Sequence, residues 1–169
     1  MQTPPTQLRI TGRNRFCGPA VLAAVANITT DEAAWLIREQ TKKRAVYGVT
    51  KTALLSAIQS TGLNADYYAF KKGMYTVNSY SKTPIYGLYP RILHGTGHWL
   101  ALWNGLVYDN WKSNRCGTTI DKYQQRLKRL KGAIAVYGTI TRDIKAEYEK
   151  RERERIGYLT KKSQKVYYI

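Results

Sequence analysis

HWLALWNGLVYDNW, residues 98–111, carries the strongest fold signal in the chain. Asn104-Gly105 lies between two apolar runs, and that dipeptide readily adopts the positive φ angles of a two-residue hairpin turn. With that turn, Trp103 pairs with Leu106 and His98 pairs with Trp111. Side chains alternate across a strand, so His98, Leu100 and Leu102 share a face with Val107, Asp109 and Trp111. Asp109 falls opposite Leu100 and diagonal to His98, within reach of a planar side chain. Asn110 points to the other face. The pairing selects Asp109 as the partner of His98.

Upstream of this hairpin the pattern is helical. CGPAVLAAVAN, residues 17–27, is small, apolar and helix-favouring, with Pro19 in the first turn where its missing N–H costs nothing. It is apolar nearly all round, as a helix buried through a domain should be. Thr29 and Glu32 have the spacing of a capping box and open a second helix that runs to about Thr41. A basic connector, Lys42-Lys43-Arg44, leads to a third helix near residues 50–60, capped by Thr50 and stopped by Gly62. Residues 1–16 read as irregular.

After Gly62, β-favouring residues dominate at 66–70 and 84–88, then in the hairpin, then at 133–140. Residues 123–131 read as a basic helix with Tyr123, Leu127 and Leu130 on one side, and residues 141–156 as a highly charged helix. Helices first, then an antiparallel sheet, predict an α+β fold. The expected organisation is one domain over residues 1–140 and a basic helical tail over 141–169.

The chain has 169 residues, enough for one domain with a real core. No apolar run is long enough for a spanning helix, so no membrane partner is expected. The N-terminal MQTPPTQLRITGRNRF lacks the apolar core of a secretory signal, which predicts an intracellular or assembly-borne location. Two cysteines and two histidines show no metal-ligand spacing, so neither metal nor cofactor is expected. The two cysteines can pair, but free thiols fit a reducing compartment better. Charge is the unusual feature, with 28 Lys+Arg against 11 Asp+Glu and a net +17. The last 48 residues hold 14 of those cations and 5 of the anions. Such a balance points to a polyanion, most often nucleic acid, or to an acidic protein surface, and against it stands the plain alternative of a solvated basic face.

The chemistry-bearing residues are Cys17, His98 and Asp109. A cysteine nucleophile needs its thiolate, and a helix N-terminus and a neighbouring imidazolium both favour that form. Cys17 stands where the first helix starts, with free backbone N–H groups available to an oxyanion. His98 supplies the imidazole, and a carboxylate at Asp109 fixes its tautomer and stabilises its charged form. Taken singly, Cys17 is a small core residue, His98 a strand histidine and Asp109 a turn residue; their joint order makes the constellation. Cys116 and His94 fall in loop-like, Gly-adjacent stretches with no partner pattern.

Arg15-Phe16-Cys17-Gly18-Pro19-Ala20 before an apolar helix, Gly97-His98-Trp99 opening a strand, and Tyr108-Asp109 together resemble the papain-like cysteine peptidases. The likeness is greatest to the branch that removes bacteriocin leader peptides after double glycine. It spans the order of elements over residues 7–140. It implies N-terminal helices carrying the nucleophile on the first, packed on an antiparallel sheet carrying histidine and aspartate, and a peptide or protein substrate. In that family a glutamine about six positions before the cysteine completes the oxyanion hole; here the position is Thr11, and Gln7 and Asn14 are the nearby amides. Two functional readings follow. One is a Cys–His–Asp hydrolase of peptide or isopeptide bonds. The other is the same fold used as a structural or binding module, such as a bacteriophage virion component in a larger assembly near DNA.

Overall fold

The computed structural model describes residues 8–44, 46–83, 89–111, 114–123 and 129–166, with side chains through residue 160. Three helices lead: α1 (Cys17–Ala26), α2 (Thr30–Thr41) and α3 (Lys51–Gln59). Strands β1 (Asn64–Ala69), β2 (Arg91–Gly95), β3 (His98–Trp103), β4 (Leu106–Tyr108), β5 (Thr118–Thr119) and β6 (Leu130–Tyr137) form one antiparallel sheet in the order β1-β6-β2-β3-β4-β5. A short α4 (Val77–Ser81) follows β1, and a long α5 (Ile144–Val166) follows β6. The fold is α+β, as the sequence predicts.

The helix ends follow from local chemistry. Asn27 ends α1 in the left-handed conformation, φ 50°, where Asn is better tolerated than most residues. Thr29 and Glu32 form the complete capping box: Glu32 N–H donates to Thr29 Oγ1 at 3.2 Å and Thr29 N–H to Glu32 Oε2 at 2.6 Å. Such a cap stabilises a helix by about 1 kcal/mol. Thr50 caps α3 through Ala53 N–H.

The sheet has an apolar layer on each face. Trp99, Ala101, Trp103 and Tyr108 join the core built with α1, α2 and α3. Leu100, Leu102 and Val107 face the other way, into a smaller cluster with Val77, Tyr80, Tyr123 and Leu130. Burial on both faces explains why α1, wedged between α2, α3 and β3, is apolar all round: seven of its residues from Gly18 to Ala24 are buried.

Several expectations need correction. The hairpin turns at Asn104-Gly105 with Trp103 opposite Leu106, but the ladder stops at Ala101 opposite Tyr108. Asp109 leaves it because its carboxylate accepts the Trp111 N–H two residues on, at 2.9 Å, a turn that curls the chain away from β3. The helix expected over 123–131 is contradicted at its C-terminal end, where Leu130 and Lys131 open β6; residues 124–128 lie outside the described residues. Pairing of β6 with β1 and β2 on its two sides overrides local helix preference there. The strand expected at 133–140 therefore runs from Leu130 and ends at Tyr137, before Gly138 at φ 94°. His94 is in the central strand β2 rather than a loop, stacked on Trp99 with ring centroids 4.0 Å apart. The strand expected at 84–88 lies outside the described residues.

Helix α5 packs on α2 through its first turns: Ile144 is buried, and the Tyr148 and Trp35 rings lie 5.9 Å apart. Arg142 links the two by ion pairs to Glu39 at 3.3 Å and to Glu147. Among the described residues no helix is long and apolar enough to cross a membrane.

Candidate active site

Cys17 is the first residue of α1, half-buried, with the positive end of the helix dipole behind its sulfur. His98 opens β3, and its Nε2 lies 3.6 Å from Asp109 Oδ2. His98 and the backbone N–H groups of Trp99 and Gly18 also interact with the Cys17 sulfur. The structure thus brings Cys17, His98 and Asp109 into one chain of contacts.

The electrostatics follow from this geometry. Burial pushes the Cys17 thiol up, but the His98 hydrogen bond, the Trp99 and Gly18 N–H groups and the imidazolium charge together bring it below the ordinary thiol value. Burial disfavours imidazolium at His98, yet the Asp109 contact and the Cys17 sulfur raise its pKa to about 9. At 3.6 Å the Asp109 contact is longer than a formed N–H···O bond, so charge attraction across a short gap carries it. Asp109 is lowered against the effect of its own burial by His98, the Trp111 N–H and the Asn114 amide. Both shifts favour the thiolate–imidazolium pair over the neutral one.

Asp109 is 1% exposed, and a carboxylate so deep requires full hydrogen bonding. Its Oδ1 accepts from Trp111 N–H at 2.9 Å and Asn114 Nδ2 at 3.1 Å; its Oδ2 accepts from Tyr123 Oη at 3.3 Å and faces His98. Thr118 Oγ1 donates to Asn114 Oδ1 at 2.8 Å and so holds that amide in place. Sequence reading missed Asn114, Thr118 and Tyr123. Only the donor-rich character of the stretch after Asp109 hinted at them.

The loop before Cys17 is held by partners remote in sequence. Arg115 donates to Gly12 O at 2.9 Å and to Asn14 O at 2.7 Å. Asn110 Nδ2 donates to Arg15 O at 2.7 Å, tying the turn after β4 to the residue two before the nucleophile. On the other side, Trp99 Nε1 donates to Val49 O at 3.0 Å, and Gly18 packs so closely on Val49 that a Cβ there would lie 2.5 Å from its Cγ2.

At the position where the family has its oxyanion glutamine, the chain is pinned to α2, the Thr11 carbonyl accepting Thr30 N–H at 2.7 Å. Asn14 Oδ1 accepts Phe16 N–H at 3.0 Å. Gln7 lies outside the described residues. Exposed aromatics border the nucleophile, with Tyr47 71% and Phe16 47% exposed and their rings 6.2 Å apart. Trp111, beside Asp109, is 37% exposed. No disulfide joins Cys17 to Cys116, and the described residues hold no cluster fit for a metal ion.

No family model and no curated protein matches this sequence. Solved structures do match its fold. A double glycine motif protease from an AMS/PCAT transporter, solved in complex with the leader peptide, is 17% identical with a TM-score of 0.52, covering 82% of this chain and 100% of that one. The peptidase domain of Streptococcus mutans ComA is 17% identical over 78% of this chain and 99% of that one, TM-score 0.47. A second Streptococcus ComA peptidase domain is 22% identical over 80% of this chain and 100% of that one, TM-score 0.49. The first of these shows that the fold is the papain-like one of double-glycine peptidase domains.

Proposed function

We propose that this chain is a cysteine peptidase that cleaves a peptide or isopeptide bond through Cys17, His98 and Asp109. The observation that carries the proposal is the setting of Cys17: a thiol at a helix N-terminus, lowered in pKa by an imidazolium that a buried carboxylate holds. Its fold neighbour, a protease solved with a leader peptide, supports a peptide substrate with a double-glycine junction.

In this reading the Cys17 thiolate attacks the scissile carbonyl carbon and a C–S bond forms. The oxyanion that develops is met by the Cys17 N–H at the start of α1, with Asn14 as the side-chain donor. His98 imidazolium gives its proton to the leaving nitrogen as the C–N bond breaks. A water then attacks the thioester, His98 takes its proton, and the carboxylic acid leaves with regeneration of the thiolate. Asp109 holds the ring orientation throughout. The exposed Phe16, Tyr47 and Trp111 supply apolar contacts for the substrate chain.

The test is incubation with synthetic peptides carrying a Gly-Gly junction, with products sized by mass spectrometry. Cleavage after the second glycine that is lost in Cys17→Ala, with an unchanged circular dichroism spectrum, is expected. Equal turnover by Cys17→Ala would exclude the proposal.

A further inference from the structure

A second feature shares no residue with Cys17, His98 or Asp109. Between the C-terminal end of α2 and the face of α5 turned toward it lies an open cavity of about 560 Å³. Six cationic side chains line it: Arg38, Lys42, Lys43, Arg44, Arg151 and Arg155. Its two carboxylates are already engaged, Glu39 with Arg151 at 3.4 Å and with Arg142 at 3.3 Å, and Glu152 with Arg155 at 2.8 Å. Lys42, Lys43 and Arg44 are exposed and make no ion pair among the described residues. Arg38 Nε donates to Arg44 O at 2.8 Å, which fixes the connector against α2.

The floor of the cavity includes Trp35, which is 7% exposed. Its indole Nε1 is buried without a hydrogen-bond acceptor. We infer that this cleft binds a phosphate-bearing polyanion, with the Lys42-Lys43-Arg44 connector and the α5 arginines as phosphate contacts.

Three features of the cleft favour a ligand of densely spaced negative charge. Four of the six cations are arginines, whose planar forks bind paired anionic oxygens, those of phosphate as well as carboxylate. Several unpaired cations converge on one concave volume, so closely spaced negative charge fits better than the scattered carboxylates of a protein surface. A net charge of +17 also gives the chain a long-range field that draws polyanions in. The Trp35 ring face is covered by the Arg142 and Arg151 guanidiniums, at 5.2 and 6.0 Å from its centroid, so it offers no platform for a base. Binding is therefore to backbone phosphate and without sequence preference.

The test uses the full chain with fluorescein-labelled (dT)20, followed by anisotropy between 50 and 200 mM salt. Lys42→Asn, Lys43→Gln and Arg44→Gln are combined, and a charge-matched control combines Lys71→Gln, Lys72→Gln and Lys82→Gln, all exposed elsewhere. Each phosphate contact to a single strand contributes about 0.7 to the slope of log K against log salt, so loss of three flattens it by about 2. That loss in the cleft variant, with a smaller change in the control, is expected, as is a shift of the Trp35 indole N–H resonance in NMR on titration. Millimolar tripolyphosphate that displaces the strand would assign the site to free polyphosphates. Resistance to it would assign an extended backbone; both keep a phosphate site. Equal weakening by the two triple variants, an unmoved Trp35 resonance, or displacement by polyglutamate at matched charge would overturn the inference.

Discussion

Replacing Asp109 with Asn removes one charge and almost no volume, so it isolates what that carboxylate does for His98. In the wild type the His98 pKa is raised to about 9, against burial, first by Asp109 and then by Cys17. With Asn the Trp111 N–H keeps an amide oxygen to bond, so the loop persists, while the attraction across 3.6 Å is lost. The Asp109 contact is the largest single raising cause, so His98 should fall by about 1–2 pH units, or about 1.4–2.7 kcal/mol of imidazolium stabilisation. A ring-labelled sample followed by NMR reads this directly. The linked stability effect has a definite sign. Because the folded His98 value lies above the ordinary 6.5, its contribution is fully present below pH 6.5 and fades as pH rises through about 9. In Asp109→Asn that contribution is smaller and is gone at a lower pH, so the gap between the urea midpoints of the two proteins should be widest below about pH 6.5 and narrow as pH rises toward 9. A His98 titration within 0.3 pH units of wild type would refute the reasoning, because Asp109 would then not be what holds the charge.

Tyr123→Phe removes the 3.3 Å hydrogen bond to Asp109 Oδ2 and leaves the ring in its apolar cluster; a loss of about 0.5–1.5 kcal/mol in urea unfolding is expected. Gly18→Ala places a methyl 2.5 Å from Val49 Cγ2, and Val49 O holds the Trp99 indole. It should destabilise by about 1–3 kcal/mol and raise the Cys17 alkylation pKa as the Trp99 N–H shifts. At low pH the depressed Asp109 works in the other direction: its contribution is present above the ordinary carboxylate value of 3.8 and is lost as pH falls through its lowered one. Asp109→Asn should therefore show a shallower acid limb of stability than wild type.

The parts of the fold written in local chemistry were legible. Pro19 and the small residues around it predict α1, the Thr29–Glu32 box predicts the start of α2, and Asn104-Gly105 predicts the turn between β3 and β4. These signals lie within a few residues of the structure they specify. The parts set by distant pairing were not. RILHG in β2 is buried on both faces between β6 and β3, so it shows no alternation, and the residues after Gly95 make it look like loop. Leu130 and Lys131 carry helix-compatible residues into an interior strand because Leu130 pairs with Gly95 of β2 and the Lys131 carbonyl accepts Phe70 N–H just after β1. At the site, residue order and strand alternation placed Asp109 beside His98, although the ladder ends three residue pairs earlier than expected, at Ala101 opposite Tyr108 rather than His98 opposite Trp111. The support shell was invisible for the same reason as β2. Asn114, Thr118, Tyr123 and Arg115 act through a loop whose path depends on contacts with the nucleophile segment.

The most direct measurement is the pH dependence of iodoacetamide alkylation at Cys17, located by mass spectrometry, with exposed Cys116 as the internal reference. An ordinary thiol loses reactivity below a pKa of about 8.5. The account predicts that Cys17 stays reactive well below that value and that His98→Ala abolishes the advantage, because the imidazolium is what holds the thiolate. A Cys17 profile that coincides with that of Cys116, unchanged by His98→Ala, would contradict the central claim and leave the fold as a scaffold without an active thiol.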